Sequence, residues 1–289
     1  MDSKRAIFHE QQTLSRSFSL SGVGLHTGVE CRIRVLPANP DTGRMFVVDD
    51  VEIPARADCV VDTSRCTTLG FSNQQVRTVE HLMAALAGCL IDNARIEVEG
   101  PEIPILDGSS LPFVEMINQS GICTQGVPAH YISVDETLTI ENGAGQSRMS
   151  AIPSERCELS VETSFPNWPE GNASTTMVFE PEFMEFQGAI APARTFAFAD
   201  EVNQLLSRGL AQGGSLNNVV IITPPSTFST ELRLPGEWWR HKVLDLIGDL
   251  ALTDSRLGCS VTANRPGHKI NTRLAAALIN ERRAVSQEL

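Results

Sequence analysis

Moved along itself by 160 residues, the chain places His81 on His241, Leu86 on Leu246, Gly88 on Gly248 and Leu90 on Leu250. The predicted elements around both segments also follow one order: strands, helix, strand, a loop with Pro and Gly, helix. Four identities can arise by chance, but the shared element order makes duplication the better reading. Each copy then forms a small α+β unit whose sheet covers two helices. Pairing the copies buries the helices face to face between two sheets. The helices of His81 and His241 meet in that arrangement.

The elements are read from periodicity and punctuation. Segments within 13–60 alternate apolar and polar residues and predict antiparallel strands. Thr78–Leu90 carries Leu82, Leu86 and Leu90 at four-residue spacing, which predicts a helix with Thr78 as its N-cap. Glu237–Leu252 predicts a second strong helix after Pro235-Gly236, and 271–288 a last one after the loop Arg265–Lys269. Gly121–Ala129 is the candidate boundary, which divides the chain into 1–125 and 126–289. A length of 289 residues suits two domains.

Composition excludes several classes. No apolar run approaches the ~18 residues of a membrane-spanning helix. Lys4 and Arg5 are not followed by the apolar core of a secretory signal. A net charge of −12 disfavours general nucleic-acid binding, so an anionic ligand needs a local cluster of cations. The seven cysteines have no CxxC spacing, which argues against a disulfide framework or cysteine-held zinc and for a reducing, cytoplasmic setting. No GK[ST] or G-x-S-x-G motif is present.

Six histidines are few enough to read singly. His241 and Asp245 stand four apart, on one face of a helix. They offer a nitrogen and an oxygen to one point, although a helix-surface hydrogen bond fits the pair as well. His81, the repeat counterpart of His241, supplies a third ligand if the helices meet. Zinc in catalytic sites takes three protein ligands and keeps one open position. Glu80, about 100° around the helix from His81, flanks such a metal as a general base or simply favours the helix dipole. His268, between basic residues, is a general acid or an exposed loop side chain, and Asp249 pairs with it or is solvated. His26 lies in the Gly-rich stretch Ser21–Gly28, either a tight turn or a close approach to a ligand. Arg194-Thr195-Phe196 joins a cation, a hydroxyl and an aromatic ring, or is an ordinary strand end. His9 and His130 read as structural or exposed.

Taken together, the blocks SGVGLHTG (21–28), TVEHLMAALAG (78–88), IDNARIEVEGPEIPILDGSS (91–110), ARTFAF (193–198), SRGLAQGGS (207–215), RHKVLDLIGDLAL (240–252) and GHKINTRL (267–274) closely resemble the UDP-3-O-acyl-N-acetylglucosamine deacetylases, zinc amidases of lipid A biosynthesis. The resemblance implies two βααβ-type domains, mainly antiparallel sheets and a small insert in each domain, the second being a βαβ acyl passage near 194–222. It implies zinc on His81, His241 and Asp245, with iron as an alternative in the cell. Glu80 becomes the base for the attacking water, His268 the protonated partner of the leaving amine, Asp249 its orienting group and Thr195 an oxyanion donor. Lys242, Phe165, Phe196, His26, Leu25 and Gly267 map to substrate contacts, and Cys66 to the acyl passage. Lys242, Arg240 and Lys269 answer the pyrophosphate. Ala211, Val202 and Leu216 stand where relatives vary, so acyl length is left open. The expected partner is acylated UDP-N-acetylglucosamine, with no nucleic acid and no membrane anchor. A monomeric, single-function cytoplasmic enzyme that touches the inner membrane face transiently is expected. A zinc amidase for another N-acyl substrate and a non-catalytic nucleotide-sugar binder are the rival readings.

Overall fold

In a computed structural model, the described residues are 9–143, 146–163, 174–176, 186–223 and 227–287; side chains are described within these ranges except at 174–176 and 282–287. The fold is α+β. Five strands form the first main sheet in the order Phe18–Val23, Glu30–Pro37, Ala94–Glu99, Arg44–Val48, Val51–Pro54. Its neighbours are antiparallel except Ala94–Glu99 with Arg44–Val48, which run parallel. The second main sheet has the order Leu138–Asn142, Ser147–Pro153, Cys259–Asn264, Leu159–Glu162, Ser174–Thr176. It too has one parallel pair, Leu159–Glu162 with Cys259–Asn264, in the corresponding place.

Each sheet turns one face inward, as its alternation requires. Cys31, Ile33 and Val35 are buried along one strand while Glu30, Arg32 and Arg34 are exposed. Helices α1 (Glu80–Gly88) and α2 (Leu111–Ser120) serve the first sheet. Helices α4 (Glu237–Leu250) and α5 (His268–Gln287) serve the second. Helix α1 is buried from Glu80 through Leu86, the signature of a helix packed on all sides. One continuous core joins Leu82, Met83 and Leu86 of α1, Val243, Leu244 and Leu246 of α4, and inward residues of both sheets. Each fully buried Leu or Ile there contributes roughly 1.5–3 kcal/mol.

Helix α4 reaches α1 through Gly248, where an added Cβ would strike the Glu80 carbonyl oxygen. That contact brings the two helices together beside the histidines.

Two small units lie beside the main sheets. Val60–Asp62, Thr68–Phe71 and Gln74–Val76 form a three-stranded sheet. Phe196–Phe198, helix α3 (Ala199–Ser207) and Val220–Thr223 form a βαβ crossover with parallel strands.

Several local expectations change. Within the candidate boundary Gly121–Ala129, Ile122–Pro128 forms a strand that pairs antiparallel with Glu10–Leu14. Thr78 does not cap α1: the N-cap is Val79, and the Thr78 hydroxyl donates to Glu102 at 2.6 Å. His268 opens α5 rather than lying in the loop before it. The preceding Pro266-Gly267 ends where the helix can begin.

Candidate functional site

A cavity of about 500 Å³ opens where α1, α4 and the start of α5 converge, flanked by both small units. Glu80, His81, His241, Lys242, Asp245, His268, Thr195, Phe196, Leu25 and His26 all line it. His81 and His241 meet edge to face with ring centroids 4.9 Å apart. Each of His81, His241 and Asp245 offers one donor atom, and these lie within 4.8 Å of one another. Asp245 Oδ1 is 3.3 Å from His241 Nε2 and 3.9 Å from His81 Nε2.

The donors suit a metal ion chemically. His241 Nδ1 bonds the Ala193 carbonyl at 3.0 Å, which fixes the ring and turns Nε2 to the centre. His81 Nδ1 is buried and has no hydrogen-bond partner among the described residues. Burial, then the neighbouring His241, pushes the His81 pKa down to about 3, so its ring is neutral and can ligate. Burial opposes ionisation of Asp245, but Lys242 and the histidines outweigh it and hold the carboxyl below the usual range. Lys242 Nζ donates to Asp245 Oδ2 at 2.8 Å, leaving Oδ1 facing the histidines. Two imidazoles and a carboxylate form a set that zinc accepts.

Around the triad stands an acid–base group. Glu80 is 2% exposed, and burial pushes its pKa up to about 8. Its Oε2 accepts from the Thr67 N–H at 3.0 Å, and its Oε1 is 3.9 Å from His268 Nε2. Burial alone lowers the His268 pKa, but Asp249 and Glu80 overcome that and push it up to about 9. His268 Nδ1 donates to Asp249 Oδ2 at 2.9 Å. Asp249 also accepts from Asn271 Nδ2 at 2.9 Å and from the Thr67 hydroxyl at 2.5 Å.

The Gly-rich stretch serves this wall. An added Cβ at Gly24 would strike the Glu102 carboxylate and the Thr27 hydroxyl. Glu102 accepts from the N–H groups of His26 and Thr27 and from the hydroxyls of Thr27 and Thr78. Burial works against its charge, yet these donors hold its pKa below the ordinary value. The turn is thereby fixed with His26 at the cavity.

Arg194 does not face a ligand. It is 6% exposed and bonds Glu237 Oε1 through Nε at 2.7 Å, Thr230 through Nη1 and the Glu231 carbonyl through Nη2. This clamp holds 193–196 against the start of α4, which places the Ala193 carbonyl behind His241 and Thr195 at the cavity. Arg240 is likewise drawn away: it bonds the carbonyls of Pro235 and Ala189 and lies over Trp239. Lys269 is exposed, Lys242 lies in the cavity, and Arg65 lines its edge in an ion pair with Glu201.

Cys66 is fully buried and does not line the cavity; its Sγ neighbours the Thr68 hydroxyl at 3.9 Å. Burial pushes the thiol up to about 12. Gly267 also stays off the wall, between Pro266 and His268, which do line it. Ala211, Leu205 and Val219 give the cavity apolar surface, whereas Leu216 is exposed. Phe165 lies outside the described residues. Thr67, Glu102, Glu237 and Asn271 carry no local sequence signal, because their partners are brought to them only by the fold.

A three-donor centre beside a buried carboxylic acid and a protonated imidazole is the equipment of a metal-dependent hydrolase. The chain belongs to the UDP-3-O-acyl N-acetylglycosamine deacetylase family, whose model matches residues 11–280. It is 40% identical to the UDP-3-O-acyl-N-acetylglucosamine deacetylase of Citrifermentans bemidjiense over 93% of this chain and 88% of that one. It is 41% identical to the enzyme of that name from Thermosynechococcus vestitus, over 94% and 95% of the two chains. The Myxococcus xanthus relative is 39% identical over 94% of this chain and 87% of its own length.

Proposed function

We propose that this chain removes the N-acetyl group of UDP-3-O-(3-hydroxyacyl)-N-acetylglucosamine, giving acetate and the free glucosamine amine, the committed step of lipid A biosynthesis. One observation carries the reading: the donors of His81, His241 and Asp245 share a cavity with Glu80 and His268. Family membership supplies the substrate class.

His81, His241 and Asp245 would hold one zinc ion per chain, with ferrous iron the alternative in the cell. When bound, such an ion supplies Lewis acidity at the amide carbonyl and eases deprotonation of water. Its charge also favours the ionised form of Glu80 against the effect of burial. Glu80 then takes a proton from water as the water oxygen bonds the acetamide carbon. The Thr195 hydroxyl donates to the oxyanion. His268, held protonated by Asp249, gives its proton to the sugar nitrogen as the C–N bond breaks. Lys242 both steadies Asp245 and presents positive charge to the substrate. Phe196, Leu25 and His26 shape the wall around the sugar, and Leu205, Ala211 and Val219 offer an apolar lining to the acyl chain.

We further read the two units as a duplication, on their common strand order and the 160-residue shift. Seven free thiols support a cytoplasmic setting. Among the described residues no helix is long and apolar enough to cross a membrane. Transient contact with the inner membrane face remains part of the proposal, since the acyl chain is lipid-like. Mass spectrometry of the products tests the substrate: acetate and a substrate 42 mass units lighter (roughly, one acetyl exchanged for hydrogen) are expected. A chain loaded with metal that releases no acetate contradicts the assignment.

A further inference from the structure

Thr67 sits behind the cavity wall, fully buried, just ahead of the strand Thr68–Phe71. Its three polar groups are all engaged. The N–H donates to Glu80 Oε2 at 3.0 Å, the hydroxyl donates to Asp249 Oδ1 at 2.5 Å, and the carbonyl accepts from the Val79 N–H at 3.3 Å. Asp249 passes the connection on, because its other oxygen accepts from His268 Nδ1 and Asn271 Nδ2. Glu80 stands on α1, Asp249 on α4 and His268 on α5, while Thr67 belongs to none of these helices.

We propose that Thr67 is a positioning residue that sets Glu80 and the Asp249–His268 pair relative to one another. The inference rests on the amidase reading, in which one of these groups removes a proton and the other returns one. Asp249 is fully buried and lies off the cavity wall, so it cannot exchange a lost donor for bulk water. The Thr67 hydroxyl is the sole described donor to Asp249 Oδ1. The β-branched side chain has few rotamers, so a fixed backbone fixes the hydroxyl. The helices themselves meet through other contacts, including Gly248 against the Glu80 carbonyl. Losing the hydroxyl therefore frees Asp249 and His268 while the frame stays together.

Thr67→Val keeps the shape and the backbone N–H but removes the hydroxyl; Thr67→Ser keeps the hydroxyl. In Thr67→Val, kcat is expected to fall about 10- to 100-fold with KM nearly unchanged and metal content retained. Thr67→Ser is expected to keep most of the rate. Ring resonances of His268 should shift or broaden in Thr67→Val and stay near wild type in Thr67→Ser. If Thr67→Val folds poorly, Thr67→Ala carries the same expectation. An unchanged kcat in the hydroxyl-free variant, or an equal loss in Thr67→Ser, overturns the proposal. So do unchanged His268 resonances, which read the geometry even without turnover. A wild-type protein that releases no acetate sinks the amidase reading instead, separately from these resonances.

Discussion

Helices α1 and α4 hold corresponding places against their sheets, yet they contribute unequally. Each brings one histidine to the centre, His81 and His241. The shared Leu and Gly positions aside, the positions 160 residues apart diverge: Leu82 faces Lys242 in the alignment, Ala85 faces Asp245, Cys89 faces Asp249, and Glu80 faces Arg240. The first helix is otherwise an apolar core element with an acid at its start. The second gathers the charges, each with a partner: Lys242 on Asp245, and Asp249 on His268, Asn271 and Thr67. Buried charge is tolerated only where partners converge. Concentrating it on α4 leaves α1 apolar after His81.

The largest test of this asymmetry is a pair of substitutions at equivalent positions. Glu80→Ala should retain the metal and lose roughly 10²–10⁴-fold in kcat, the usual contribution of a general base. Arg240→Ala should leave the rate near wild type, since its guanidinium bonds Pro235 and Ala189 outside the cavity. Equal losses would break the comparison.

A pH profile sharpens it. Protonated His268 is the acid form, and its pKa is pushed up to about 9. Activity that depends on that proton persists through neutral pH and falls as pH rises past about 9. Asp249→Asn removes the main charge that raises this value, so the alkaline fall should move to lower pH. A fall that stays put in the variant would remove Asp249 from its role.

The two aligned glycines give a smaller, structural contrast. At Gly248 an added Cβ meets the backbone of Glu80, whereas at Gly88 it meets the ring of Phe186. Backbone cannot step aside as a side chain can. Gly248→Ala is expected to cost about 1–3 kcal/mol, and Gly88→Ala less, by thermal or denaturant unfolding. The smallest effect belongs to Arg65→Ala. Its ion pair with Glu201 is exposed, with side chains 47% and 36% accessible, and its loss should change stability by less than about 1 kcal/mol.

Much of this centre is legible in the residues, for physical reasons. The 160-residue shift pairs His81 with His241, and the fold brings the two rings together. Asp245 follows from four-residue spacing on one helix face. What is illegible depends on distant segments. Arg194 reads as a ligand contact until the fold brings Glu237 to it, 43 residues away. Thr67 and Asp249 are 182 residues apart and share no local pattern. Thr78 resembles an N-cap, but its hydroxyl is drawn to Glu102 instead. Cys66 sits next to a cavity residue, Arg65, yet its side chain turns into the core. The strand Ile122–Pro128, within the candidate boundary, finds its partner in Glu10–Leu14, far away along the chain.

The central claim is that both units build one metal centre. Metal analysis of purified protein, coupled to the deacetylation assay with and without chelator, tests it most directly when repeated on His81→Ala and His241→Ala. The expected result is one zinc or iron per chain in the wild type, loss of acetate release on chelation and recovery on metal return. Either substitution, on either unit, should strip both metal and activity. A variant that keeps full metal and turnover, or a chelated enzyme that works undiminished, would contradict a centre shared between the two units.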